Sequence, residues 1–182
     1  LRVSAQKSRI CRPYELNYLG HSLGWKGELY LSRESEVRLK ESIRKLTRRN
    51  RGERLEVVIQ ALNRKIRGWL HYFRYAQMKK RLMRLLEWLH RKLRCYRLKQ
   101  GKRPIGIMRL LHRQGVPKGR AWLTAGSRRG WWAKASMPAT NEGMNRKWFI
   151  QQGLIDFMSL YTYLHPLRET ALYESTQGGV RG

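Results

Sequence analysis

Acidic residues are scarce in this chain. Its 182 residues hold 40 Lys or Arg against 12 Asp or Glu, a net charge of +28, and Asp156 is the single Asp. Metal-dependent polymerases and nucleases hold divalent ions with clustered carboxylates. Asp156 has no acidic neighbour in sequence nearer than Glu142 or Glu169, so no such cluster is readable and no catalytic or metal-ligating residue is assigned. Cysteine is equally sparse: Cys11 and Cys95 stand in no metal or redox spacing and read as ordinary reduced thiols. His21, His71, His90, His112 and His165 are scattered, without partners at ligand or general-base spacing. Also lacking are a Gly-rich phosphate loop of Walker type and a nucleophile elbow. No apolar run reaches the roughly 18 residues of a bilayer span, and no basic-then-apolar stretch leads the chain. No membrane partner and no secretory signal are therefore expected, which points to a bacterial-type cytoplasm or an organelle.

What is present is positive charge on an ordered scaffold. Excess charge of this size works against compactness unless an anionic partner offsets it, and it is the electrostatic footprint of a nucleic-acid-binding protein. Seven Trp and 41% apolar residues argue against disorder. The stretch Lys79 to Arg103 concentrates both properties, with eleven Lys or Arg and one acid, Glu87. Leu82, Leu85, Leu86, Leu89, Leu93 and Tyr96 recur at spacings of three and four, which predicts one apolar stripe of a helix over 79–99. Lys80, Arg84, Arg91 and Arg94 fall on the opposite side as a cationic ridge.

Around that helix the sequence predicts a mainly α protein: a helical bundle behind a small β-hairpin. Residues 17–20 and 28–31 read as two short strands joined by a Gly-rich turn. Ser32 is a plausible N-cap for a helix near 33–50 carrying Leu39, Ile43 and Leu46. Arg44, Lys45, Arg48 and Arg49 crowd its end, where cations favour the helix dipole. A second helix, about 53–76, places Leu55, Ile59, Leu62, Ile66, Trp69, Leu70 and Phe73 on one stripe with Arg64, Arg67 and His71 opposite. Gly68 inside it costs about 1 kcal/mol against Ala, which suggests that a backbone, of the protein or of RNA, approaches closely there. A short helix follows over 105–114. Residues 116–140, rich in Gly, Pro and Trp, read as a long ordered loop with at most one short helix. The last helices are expected near 144–152 and 154–165, and the tail from Pro166 is expected to fray.

The candidate phosphate-contacting residues are Lys79, Lys80, Arg81, Arg84, Arg91, Lys92, Arg94 and Arg97, because cations on a rigid helix suit a polyanion. Arg128 and Arg129, followed by Trp131 and Lys134, form a second candidate patch in which an aromatic beside Arg stacks an unpaired base. At least one of Trp131 and Trp132 is expected to be core packing.

Several segments resemble the reverse transcriptases encoded by group II introns. Asn17-Tyr18-Leu19-Gly20-His21-Ser22-Leu23 is similar to the segment that closes the family's palm, F-L-G-Y/F-x-F. Ile66-Arg67-Gly68-Trp69-Leu70-His71-Tyr72-Phe73-Arg74-Tyr75-Ala76 resembles I-x-G-W-x-x-Y-F-R-x-A. Leu85 to Arg94 is similar to L-D-x-W-I-R-R-R-L-R. Gly130 to Ser136 resembles G-x-W-R-x-S, with Trp132 where the family often has Arg. Asn145-Arg146-Lys147-Trp148-Phe149 followed by Gly153-Leu154 is similar to L-N-x-x-W-F-x-x-x-G-L. These matches keep the family's order over about residues 8–165.

The resemblance implies the maturase-specific domain, also called X or thumb, over 32–165. Before it would come the end of a palm over 1–31, and after it a flexible tail over 166–182. It further implies that the domain binds intron RNA to assist splicing and, in a full-length protein, grips template–primer, with Tyr18, Leu19 and Gly20 on the primer-grip side. The Y-A-D-D acids that hold the family's catalytic magnesium do not occur in these residues. Mg2+ is therefore expected only with a palm domain or with the intron RNA, and reverse transcription is not assigned to this chain alone. The chain is expected to be a fragment, a split subunit or a free-standing remnant. Alternatives are the thumb subunit of an active split reverse transcriptase, partnered by a fingers–palm polypeptide, and a general basic protein that binds structured RNA.

Overall fold

A computed structural model describes residue 12 and residues 16–50 and 52–165. The first part of the expected palm remnant, Cys11 and the tail from Pro166 lie outside the described residues. A three-stranded antiparallel sheet opens the fold: β1 (Asn17–Tyr18), β2 (His21–Leu23) and β3 (Leu29–Leu31), in that spatial order. The sequence suggested only two strands. The middle one, too short to show alternation, pairs with both neighbours, His21 opposite Tyr18 and Leu31. The β1–β2 turn has positive φ at both central residues, Leu19 at 50° and Gly20 at 81°, the requirement of a tight type I′ turn.

Nine helices follow among the described residues: α1 (Arg33–Leu46), α2 (Leu55–Tyr72), α3 (Lys79–Gln100), α4 (Pro104–Arg113), α5 (Lys118–Gly126), α6 (Trp131–Lys134), α7 (Pro138–Gly143), α8 (Arg146–Gln151) and α9 (Phe157–Leu164). Ser32 caps α1 by accepting from the Ser35 amide at 3.2 Å. The helix ends earlier than expected, at Leu46, where the Thr47 amide and hydroxyl both donate to the Ile43 carbonyl, at 2.9 and 2.7 Å. Asn145 caps α8 through the Trp148 amide at 3.0 Å. Asp156 caps α9 and binds Arg146 at 2.5 Å.

The expected loop over 116–140 holds α5, α6 and the start of α7. These three helices are short and interrupted by small residues, so no apolar stripe stands out, and the Gly and Pro that suggested a loop lie mostly at their ends. α4 packs on α5, and α7 touches both.

One apolar core runs from Leu31 to Tyr161. α2 lies against α1 and α9, and α3 against α6 and α9. Two polar residues fasten distant segments within it. Asn63 of α2 donates to the Gly153 carbonyl at 2.7 Å and accepts from the Ile155 amide at 3.0 Å, anchoring the α8–α9 link. The Tyr161 hydroxyl donates to the Ala76 carbonyl at 2.9 Å and accepts from the Met78 amide at 3.2 Å, closing the α2–α3 link.

Candidate nucleic-acid interface

α3 is the element from which the surface is built, and its two halves differ. In the first half Leu82, Leu85, Leu86 and Leu89 are buried, while Lys79, Lys80 and Arg84 are exposed. In the second half Leu93, Cys95, Tyr96 and Leu98 are all buried. These four positions span more than one side of a helix, so α3 enters the core here. Arg91, Lys92, Arg94 and Arg97 are consequently only partly exposed.

The single ridge read from the sequence is therefore divided, because several of its cations are engaged within the protein. Arg94 donates to the Met144 carbonyl at 2.9 Å, and burial lowers its pKa. Arg97 donates to Gln100 Oε1 at 2.8 Å. Arg81 pairs with Glu36 at 2.7 Å and also donates to the Leu31 and Ser32 carbonyls, tying the β3–α1 junction to α3. For Glu36 the upward push of burial is outweighed by hydrogen bonds from Lys40 and Arg81, so its carboxyl stays below the usual range.

The two cationic patches of the sequence meet in space. α6 docks on α3 because Arg91 donates twice to the Trp132 carbonyl, at 3.1 and 2.9 Å, and lies over the Trp132 ring at 4.0 Å. Cys95 Sγ donates to the Trp131 carbonyl at 3.3 Å. Lys92 Nζ sits 5.5 Å from the Trp132 ring and 5.8 Å from that of Trp88. Arg128 and Arg129, in the loop entering α6, are exposed. Lys134 is turned inward, donating to the Ala125 carbonyl at 2.9 Å with its ammonium 5.6 Å from the Trp131 ring. Of the two tryptophans Trp132 is the more exposed, at 39%, with Arg91 over one face of its ring, whereas Trp131 is partly buried and packs against the core. The sequence reading chose Trp131. Adjacent residues on one helical turn face different directions, and only the docking of α6 decides which is covered.

Tyr18 and Leu19 are exposed at the β1–β2 turn. Gly20 is structural: its carbonyl accepts from the Ser32 amide at 2.9 Å and the Ser35 hydroxyl at 3.2 Å. The Tyr72 hydroxyl donates to the Leu19 carbonyl at 3.0 Å. A cleft of about 540 Å³ opens beside this turn, lined in part by Leu19, Gly20, Arg38, Lys65, Trp69 and Tyr72.

His90 is mostly buried and stacked on Phe149, with ring centroids 5.1 Å apart and planes at 11°. Burial first, then the positive charges of Arg94 and Arg146, lower its pKa to about 4. An unfolded chain binds this proton at a pKa near 6.5, so between the two values the unfolded state holds more protons and stability falls as pH drops. Acidification from pH 7 to 4.5 is expected to cost about 2 kcal/mol through this one residue. The His165 pKa is lowered as well, by burial, so the readout is a difference between proteins. Denaturant melts of His90→Phe, which keeps a ring on Phe149, should show a flatter pH profile than wild type; equal slopes would refute the assignment.

Sequence reasoning missed Arg44, Arg48 and Arg49 as site candidates, taking them as dipole partners at the end of α1. The fold places Arg44 5.6 Å from the Trp88 ring and groups all three beside Lys92. No periodicity within one helix signals such a meeting. Among the described residues, no group of three or more His, Cys, Asp or Glu is arranged to hold a metal ion, and no helix is long and apolar enough to cross a membrane.

Residues 37–115 match the family model described as group II intron, maturase-specific domain. This segment runs from the second turn of α1 to just past the end of α4 and includes the whole of α3. No curated protein matches the chain.

Proposed function

We propose, from the premise that residues 37–115 form a group II intron maturase-specific domain, that this protein binds intron RNA and assists its splicing. The mechanism would be positioning. Cations fixed on α3 and on the loop before α6 neutralise phosphates that the folded RNA brings close together, and the bond-making chemistry stays with the RNA. Mg2+ would enter with that RNA, or with a palm domain.

The observation that carries this reading is the joined surface. Arg91 and Trp132 bind α6 to α3, so the helix that directly follows Arg128 and Arg129 in the chain is held on the main cationic helix. Lys79, Lys80, Arg84, Arg128 and Arg129 are exposed and pair with no carboxylate among the described residues. Charges left free in this way gain from releasing the counterions of a polyanion.

Titrating the protein into a group II intron RNA and into an unrelated structured RNA of equal length, over a series of salt concentrations, tests the reading. Tighter binding to the intron and a steep salt slope are expected, about 0.9 log unit per log salt for each duplex phosphate neutralised. Equal affinity for both RNAs would leave only a general basic RNA-binding protein, and salt-independent binding would overturn the electrostatic mechanism.

The apolar exposure of Tyr18, Leu19 and Trp25, at 67%, 64% and 74%, favours a second role beside the first. In a longer or split reverse transcriptase, a palm would cover this sheet, and the domain would grip template–primer. Primer extension with and without a fingers–palm polypeptide separates the two. Extension that never depends on this chain would remove the second role.

A further inference from the structure

The end of α1 and the middle of α3 enclose a cleft of about 450 Å³ lined by Arg44, Thr47, Arg48, Arg49, Asn50 and Lys92. Among the described residues, four of the six lining the cleft are cations, no carboxylate lines it, and none of the four forms an ion pair. We propose that this cleft seats closely spaced phosphates of one RNA strand where the strand bends sharply, beside the α3–α6 surface, with which it shares Lys92. The inference rests on the RNA-binding reading above.

The dipole of α1 does not account for the cluster. A helix C-terminus favours cations within its last turn, which explains Arg44 and Lys45. Arg48 and Arg49 lie beyond that turn, and Lys92 arrives from another helix. Burial, and then the charges of Arg44 and Arg49, hold the Lys92 ammonium below its ordinary pKa, against an opposing pull from Cys95. The cations are therefore near enough to repel one another in the free protein. Like charges held together without a carboxylate fit an anionic ligand, because its binding turns repulsion into attraction.

The remaining donors suit phosphate oxygens. Asn50 accepts from Lys99 Nζ at 3.3 Å through its side-chain carbonyl, which leaves its amide nitrogen as a donor to the cleft. Arg44 and Lys92 both lie against the Trp88 ring, a flat support that limits where their charged ends can go. A phosphodiester carries a single negative charge, so four cations in one cleft match several phosphates. An extended strand spreads such charges apart, and a bent one gathers them.

Two measurements on the full chain test this, with Arg44→Gln/Arg49→Gln as the variant. Thermal melts at constant ionic strength use inorganic triphosphate as the probe and orthophosphate as its control. The variant should melt above wild type without anion, because repulsion is relieved. Triphosphate should raise the wild-type Tm more than orthophosphate does, and this difference should vanish in the variant. An equal triphosphate response in both proteins would overturn the site.

In RNA titrations the variant should lose about 1.4 to 1.8 from its log–log salt slope, two contacts at 0.7 to 0.9 each. An unchanged slope would show that RNA does not use the cleft, while the reading of the α3–α6 surface would stand. If wild type binds no RNA at all, that reading falls and the RNA assignment falls with it; the triphosphate melts then still judge the anion site. Circular dichroism of the variant should match wild type.

Discussion

Replacing Lys79, Lys80 and Arg84 together by Gln is expected to weaken RNA binding about 500-fold at roughly 0.1 M salt, with the fold intact. Each phosphate contact on a duplex contributes a factor of salt concentration to the power of about −0.9, which is about 8-fold at that salt, and three multiply to about 500. The three side chains are exposed and engage no carboxylate among the described residues. Their removal should therefore leave helicity and Tm close to wild type, and the salt slope should fall by about 2.7. The choice of residues matters. Arg84, Arg91 and Arg94 would be the natural set from the periodicity of α3 alone. Arg91 holds α6 and Arg94 holds the Met144 carbonyl, so that set would damage the fold and the surface together. Unchanged RNA affinity in the Lys79, Lys80 and Arg84 variant, by filter binding or fluorescence anisotropy, would remove the first half of α3 from the interface.

A second large effect is expected from a single methyl group. Gly106→Ala should destabilise the protein by about 3 kcal/mol, at the upper end of overpacking costs. A Cβ at Gly106 would overlap the Gly101 carbonyl oxygen and stand 3.2 Å from the carbonyl carbon. Both obstacles are backbone, so no side chain can swing away. That carbonyl also accepts from the Arg103 amide at 2.7 Å, which fixes it in place. The close approach is what lets α4 leave α3 in so few residues and fold back onto the core. Gly68→Ala provides the matched contrast: Gly68 lies within α2, and a methyl added there would meet nothing within 4 Å. There the better helix propensity of Ala should stabilise by up to about 1 kcal/mol. Denaturant melts compare the two directly, and destabilisation by Gly68→Ala in the free protein would contradict the open surroundings found there.

These two glycines mark the limit of sequence reasoning. Gly68 interrupts a long amphipathic pattern, which suggests the close approach of a backbone, of the protein or of RNA. Among the described residues no neighbour lies within 4 Å of a methyl placed there. Gly106 drew no notice because it sits in the first turn of a short helix, yet that is where two backbones meet. Propensity reports the cost of a glycine, and only tertiary packing reports what the glycine makes room for.

The long helices were legible for a similar reason. α1, α2 and α3 carry enough turns to repeat an apolar stripe, and their burial follows the sequence: Leu39 and Ile43, then Leu55, Ile59, Leu62, Ile66 and Leu70, then Leu82, Leu85, Leu86, Leu89 and Leu93. Pattern gave no comparable signal for α5, α6 and α7, which are nine residues or fewer. The mainly helical class, the preceding sheet and the cationic character of the surface are thus properties of the chain itself, set by its periodicity and its shortage of acids. Which cations remain free was decided only in three dimensions. Arg81 and Arg94 are drawn inward to satisfy carbonyls, whereas Arg44, Arg48 and Arg49 gather beside Lys92 from another helix. A one-dimensional pattern fixes which side of a helix faces the core. The neighbour that packs against that helix determines which charges it must hold and which it leaves to solvent.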